Sequence, residues 1–164
     1  MSETHPLENG YRLRAANPGD FPFALDGMEE SVLASVSEEE ARRSEDWMDF
    51  FRGLVSVHFE GAGMRNFLLI LENEEDSAGM LWLGVGADQF TGEDCGYVLG
   101  IQVEPAHRGR GLGGMMLRWA EGWFQEEGLK YMSINVSPRN VHAKELYESL
   151  GFQAHSVVMR REIR

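Results

Sequence analysis

A chain of 164 residues has the length of one domain and buries a core without metal or disulfide staples. The single Cys95 excludes an internal disulfide and suits a reducing compartment, and the opening MSETHPLENG has no apolar stretch of signal-peptide length, so a cytoplasmic location is expected. No run approaches the roughly 20 apolar residues of a membrane span, and a net charge of -12 argues against a nucleic-acid binder that works by neutralising phosphates.

Tyr11, Leu13 and Ala15 alternate with Arg12 and Arg14 as a short strand. NPGD breaks it, and Asp20 is placed to cap a helix running through Met28, Val32 and Leu33. Ser37 and Glu40 have capping-box spacing at the head of a second helix. Its stripe of Trp47, Phe50, Phe51, Leu54, Val55 and His58 reads as core, with His58 a packed histidine. Asn66 to Glu72 and Ala78 to Val85 form a hairpin across NEEDS, followed by a Gly- and Asp-rich loop from Gly84 to Asp94. Gly96 to Val103 is nearly continuously apolar, as an interior strand would be. Leu112 to Glu127 is a helix whose Met115, Met116, Trp119 and Trp123 pack on the sheet; then come a strand at Tyr131 to Val136, a helix at Asn140 to Leu150 and a strand at Val157 to Ile163. The order β-α-α-β-β-β-α-β-α-β predicts an α/β fold over residues 1–164, with a mixed central sheet of about six strands and about four helices.

The stretch HRGRGLGGMM, His107 to Met116, satisfies two phosphate-binding patterns. Gly109, Gly111 and Gly114 give G-x-G-x-x-G, but EPAHR separates them from the preceding strand, and no carboxylate lies at Leu129 to Met132, about 20 residues on, where a dinucleotide ribose would need one. Arg108, Gly111 and Gly113 give [RQ]-x-x-G-x-[GA]. Glycines at a helix N-terminus leave backbone N–H groups unshielded where partial positive charge favours phosphate, and Arg108 and Arg110 add full charge.

The segment from Val103 to Gly113 resembles motif A of the GNAT superfamily of N-acetyltransferases. N140-V-H-A143-K-E-L146-Y147-E-S-L-G151-F152 resembles the same family's motif B, downstream in the expected order. The likeness is detailed from Val98 to Phe152 and architectural before that. It implies a GNAT fold and acetyl-CoA as co-substrate. Ile101, Gln102 and Val103 would offer backbone groups to the pantetheine arm, Arg108, Gly109, Arg110, Gly111, Leu112 and Gly113 would hold the diphosphate, and Asn140 and Ala143 would contact the cofactor. Tyr147 falls at the family's general-acid position. Some relatives place a basic Glu early in the fourth strand; here Asp94 and Tyr97 stand there and Glu104 just beyond it, with a water chain an equal alternative.

The charge is unevenly spread. Residues 1–102 carry -14 and residues 103–164 carry +2, so the second half suits a polyanion and the first a cationic amine. The acceptor wall is expected to include Glu38, Glu39, Glu40, Glu45, Asp46 and Asp49, with Asp88, Glu93 and Asp94 from the loop. The function expected is transfer of acetyl from acetyl-CoA to a small-molecule or peptide primary amine, by direct attack. A silent acyl-CoA sensor or a protein N-terminal or lysine acetyltransferase is the alternative. Cys95 lacks an adjacent base, and the five histidines lack metal-ligand spacing, so neither a covalent intermediate nor a metal is expected. Twelve residues follow Phe152, enough for one strand but not for the full hairpin that the resemblance implies as a wall of the acceptor site, which leaves the site open on that side and a homodimer as one way to complete it.

Overall fold

The computed structural model describes residues 4–42, 53 and 65–163. Six strands, β1 (His5–Pro6), β2 (Arg12–Ala15), β3 (Arg65–Glu72), β4 (Ser77–Ala87), β5 (Asp94–Val103) and β6 (Met132–Ile134), lie side by side in chain order. Neighbours are antiparallel except β5 and β6, whose parallel pairing requires a crossover. Four helices fall among the described residues: α1 (Phe21–Leu33), α2 (Glu38–Arg42), α3 (Leu112–Glu126) and α4 (Val141–Ser149). No helix among them is long and apolar enough to cross a membrane. The expected stripe from Trp47 to His58, and the acidic Glu45, Asp46 and Asp49, lie outside the described residues.

The two sheet faces build two cores. Leu69, Leu71, Leu81, Leu83 and Val98 pack against Met116, Leu117, Ala120 and Phe124 of α3 and Tyr147 of α4. On the other face Leu68, Ile70, Met80 and Trp82 meet Ala24 and Met28 of α1. Alternate residues of one strand face opposite layers, so β3 and β4 read as continuous apolar runs because both faces are covered.

The mixed six-stranded sheet with four helices is the architecture expected, but its sixth strand is β1, paired with β2 through His5↔Leu13 and Pro6↔Arg12. Val157 to Ile163 form no strand: the segment carries no regular structure and exposes Val158 by 97% and Ile163 by 95%. Alternating apolar residues favour a strand only where a neighbouring edge and a core face receive them. Strand β4 runs on to Ala87 through Gly84 and Gly86, which pair with Tyr97 and Cys95, so cross-strand pairing overrides glycine's weak preference and the connecting loop shrinks to residues 88–93.

Asp20 does not cap α1. Its carboxylate accepts from Arg14 Nη1 and Nη2 at 2.7 and 2.9 Å and from the Asn17 amide at 2.7 Å. The bidentate pair outcompetes a neutral capping bond, and the Arg14 guanidinium holds the Asp20 carboxyl below its ordinary range. Burial alone would raise Glu72; hydrogen bonds from Arg14 and Arg12 outweigh it and leave that carboxyl lowered as well. Ser37 and Glu40 form the expected reciprocal cap, Glu40 N to Ser37 Oγ at 3.2 Å and Ser37 N to Glu40 Oε2 at 2.8 Å.

Candidate active site

Parallel pairing of β5 with β6 ends at Val98↔Ile134, although β5 continues to Val103. The cause lies one residue on. Against β4, Leu83 pairs with Val98 and Trp82 with Gly100, so Leu99 is an extra residue, a bulge that bends β5 away from its parallel neighbour. Strand β6 therefore stops at Ile134, short of the expected Val136, and Leu99–Val103 face the resulting cleft with no strand on that side among the described residues. Unpaired main-chain groups in such a split can bind an extended, amide-containing ligand as a strand would.

At the foot of this cleft the chain makes the short turn Pro105–His107, then the glycine loop, then α3. Gly109 and Gly111 have φ of +77° and +74°, a region that side-chain-bearing residues rarely adopt. Gly113 is a glycine for another reason, since a Cβ there would lie 3.2 Å from Leu146 Cδ2 of α4. No side chain caps the N-terminus of α3 at Gly111, so its first-turn N–H groups stay available to an anion. At α4 the opposite holds: Asn140 Oδ1 accepts from the Ala143 amide at 3.2 Å.

The arginines flanking the loop are both engaged by protein groups. Arg108 donates from Nε to the Val103 carbonyl at 2.8 Å and from Nη2 to Glu30 of α1 at 2.6 Å. Arg110 donates from Nη1 to Tyr11 Oη at 2.7 Å. Ile101, Val103, Ala143, Leu146 and Phe152 pack around the cluster that contains Leu112 and Tyr147, so strand end, loop and α4 converge. Tyr147 is 8% exposed, its ring 5.9 Å from that of Phe152, and burial raises its phenol above the ordinary value.

The candidate bases separate. Glu104, just beyond β5, accepts from Gln102 Nε2 at 2.8 Å, and the same amide nitrogen reaches Glu30 at 3.4 Å, so two carboxylates flank one side chain facing α1. Gln102 is buried because α1 has Gly27 opposite, where a Cβ would sit 2.8 Å from its Oε1. Tyr97 lies upstream of the split, paired with Gly84 and Ser133, and donates to the Ala87 carbonyl at 3.1 Å. Burial pushes its phenol upward, which disfavours the phenolate a base requires. Asp94 is exposed at the start of β5. Cys95 is buried beside Ser133 Oγ at 3.4 Å.

The acidic wall is only partly free to meet a ligand. Asp88 Oδ1 accepts from the Phe90 and Thr91 amides at 3.0 and 2.8 Å, and these bonds, led by that of Thr91, hold its carboxyl low and form the turn. Glu40 caps α2 and pairs with Arg160, and Glu93 pairs with Lys130 at 3.5 Å. Beyond the split, Ser137 Oγ donates to the Ser35 carbonyl at 3.0 Å, tying the connection between α1 and α2 to the cleft.

Tyr11, Glu30, Asp76 and His107 touch this loop and are not visible as site residues in the sequence. Only His107 carries a local signal, its place directly before Arg108; the others reach the loop across long stretches of chain that pattern reading does not connect, as the 96-residue separation of Tyr11 and His107 and the 78-residue separation of Glu30 and Arg108 illustrate.

A parallel strand pair that parts over an uncapped, glycine-opened helix is an arrangement able to receive an extended, anionic ligand. The acetyltransferase (GNAT) family model matches residues 28–152, and the chain belongs to that family. It is 30% identical over 153 residues to a mycothiol acetyltransferase of Thermobispora bispora, covering 92% of this chain and 49% of that protein. To streptothricin acetyltransferase of Streptomyces lavendulae it is 27% identical, over 93% of this chain and 85% of that protein. The chain spans between 27% and 49% of the length of the mycothiol acetyltransferases it matches. Among solved structures, a GCN5-related N-acetyltransferase from Ralstonia eutropha superposes with a TM-score of 0.71 at 19% identity, covering 93% of this chain and 99% of that one, a likeness of fold.

Proposed function

We propose that this chain transfers the acetyl group of acetyl-CoA to a primary amine of a small, cationic molecule. The observation that carries the reading is the uncapped, glycine-opened start of α3 directly below the split between β5 and β6. The residues fit the cofactor: the first-turn N–H groups of α3 with Gly109 to Gly113 would hold the diphosphate, and Ile101 to Val103 would pair with the pantetheine amides. Arg108 would exchange Glu30 for phosphate, and Asn140, its Oδ1 already committed to the cap, would reach the cofactor through its amide nitrogen. The amine nitrogen bonds to the acetyl carbon as the carbon–sulfur bond breaks, with no covalent enzyme intermediate. Tyr147 gives a proton or hydrogen bond to the departing sulfur. The proton lost by the amine leaves through Glu104 or water.

Deprotonating an alkyl ammonium with pKa near 10 at pH 7 costs about 4 kcal/mol, so a carboxylate that binds the cation must also pass its proton on. Glu104 is the base candidate that stands beside the strand end, within hydrogen-bond reach of Gln102. Relatives named for mycothiol, streptothricin and aminoglycosides support a small-molecule acceptor, and the -14 charge of residues 1–102 supports a cationic one. Thiol release measured over polyamines, aminoglycosides, amino acids and peptides is expected to favour polycations, with acceptor KM rising severalfold between about 0.05 and 0.5 M salt as screening sets in. Preference for neutral or anionic acceptors without salt dependence would sink the charge argument. Thermal stabilisation by acetyl-CoA without thiol release from any amine would instead favour a sensor.

The same reading includes a homodimer in the cytoplasm. Val157, Val158, Met159 and Ile163 are each at least 79% exposed, and β6 forms one margin of the sheet. Exposed apolar chain and a strand at the margin of the sheet are each covered most simply by a second copy. Sedimentation is expected to give a dimer that Val158→Asp with Met159→Asp converts to monomer; a monomeric parent chain would refute the assembly.

A further inference from the structure

His107 is a buried polar residue, 7% exposed, in the turn that leads into the glycine loop. Its Nδ1 lies 2.9 Å from Tyr11 Oη and its Nε2 3.2 Å from Asp76 Oδ1. Tyr11 is itself buried, meets the imidazole edge-on at 5.9 Å, and takes the Arg110 guanidinium on the same oxygen at 2.7 Å. The directions follow from donor inventory. A guanidinium only donates, so Tyr11 accepts from Arg110, and a single proton, on the hydroxyl or on Nδ1 according to the imidazole tautomer, joins Tyr11 to His107. The ring's other nitrogen, Nε2, stands against the Asp76 carboxylate, which only accepts. The chain Arg110 to Tyr11 to His107 to Asp76 thus joins the glycine loop to the start of β2 and to the turn between β3 and β4.

Its purpose is legible in the loop. Gly109 and Gly111, both at positive φ, have the largest conformational freedom to lose, and Arg110 between them has the only side chain in that three-residue stretch. Arg110 does not reach outward: Nη1 goes to Tyr11, and Nη2 lies 3.4 Å from the Ala106 carbonyl of the preceding turn. We propose that Tyr11 and His107 are positioning residues for the diphosphate cradle, holding the glycine loop in its binding shape through Arg110. This inference rests on the proposed assignment of the loop to the cofactor diphosphate. It departs from the expectation that Arg110 adds its charge directly to the phosphates.

A loop pre-shaped in this way lowers the ordering cost of binding only for ligands that carry the diphosphate. Tyr11→Phe is therefore expected to raise the acetyl-CoA KM about tenfold, the weight of one charge-assisted hydrogen bond, with kcat nearly unchanged. With S-acetylpantetheine, which has no diphosphate, kcat/KM should stay within about twofold of the parent. His107→Leu should behave like Tyr11→Phe, and His107→Asn, which keeps an acceptor near the Nδ1 position, should recover much of the loss. Calorimetric titration with CoA makes the same comparison without an acceptor amine, and each variant's unliganded Tm is read beside it. Equal losses with both donors, or an unchanged ratio between them in Tyr11→Phe and His107→Leu, would overturn the proposal. If Tyr11→Phe does not fold, the two His107 variants decide the matter by the same ratio. A parent chain that uses both donors equally well refutes the diphosphate assignment itself, an outcome distinct from failure of the relay.

Discussion

Replacing Tyr147 by phenylalanine should lower kcat by about 10- to 1000-fold while the acetyl-CoA KM changes by less than about threefold. The ring belongs to the core shared by α3 and α4 and packs on Phe152, so phenylalanine preserves the packing and removes only the hydroxyl. Because burial raises the phenol above its ordinary value, it keeps its proton throughout the working range and can serve as a donor but not as a base. A CoA thiol resembles a free cysteine with pKa about 8.5, so a thiolate already leaves readily and the donor contributes part of the barrier rather than all of it. The sign of the pH effect follows. An alkaline fall in the parent's kcat due to Tyr147 should come above about pH 10, the ordinary phenol value, and Tyr147→Phe should lack it. Parent-like turnover in Tyr147→Phe would remove the residue from the chemistry.

Gly79→Ala is expected to destabilise the protein by about 3 kcal/mol or more, a fall in Tm of roughly 6 to 12 °C for a chain of this size. A Cβ at Gly79 would stand 2.3 Å from the Gln102 carbonyl oxygen and 3.1 Å from the Val103 Cα. Both are backbone, and Gly79 is the register partner of Val103, so relief requires β4 and β5 to part. The displaced residues are those assigned to the pantetheine arm, and the acetyl-CoA KM should rise with the loss of stability. Gly122→Ala in α3 is the control: nothing lies within 4 Å of its Cβ position, and alanine there should stabilise by about 0.5 to 1 kcal/mol. Differential scanning calorimetry on the pair separates the two; equal melting temperatures would show that the β4–β5 contact yields without cost.

What the sequence discloses is local. The helix from Leu112, the reciprocal cap of Ser37 and Glu40, the hairpin around Asn73 and the positive-φ glycines of the loop each depend on neighbours a few positions away, and periodicity or turn chemistry reports them. Asp20 shows the limit, since its cap spacing was sound but a guanidinium six residues earlier in the chain claimed the carboxylate. Features that depend on distant pairing stay hidden. Nothing in DCGYVLGIQV marks Leu99 as surplus, because a bulge is defined by the strand opposite it. The relay through Tyr11 and His107, and the Arg108–Glu30 pair spanning 78 residues, are closed only by the sheet. The strand expected at Val157 to Ile163 fails for a related reason: its alternation is present, and the partner that would make it a strand is not among the described residues of this chain.

Leu99 also sets a parity. Before it the even-numbered Gly96 and Val98 look toward α3, and after it the odd-numbered Ile101 and Val103 do, with Gln102 turned to Gly27 of α1. One surplus unit of chain length, whatever its chemistry, thus shifts the count by which side chains line each wall of the aperture. Exchanging Leu99 for another apolar residue leaves that arithmetic intact, whereas deleting it would keep Gly100 to Val103 opposite their present β4 partners and on their present faces while removing the bend that opens the cleft.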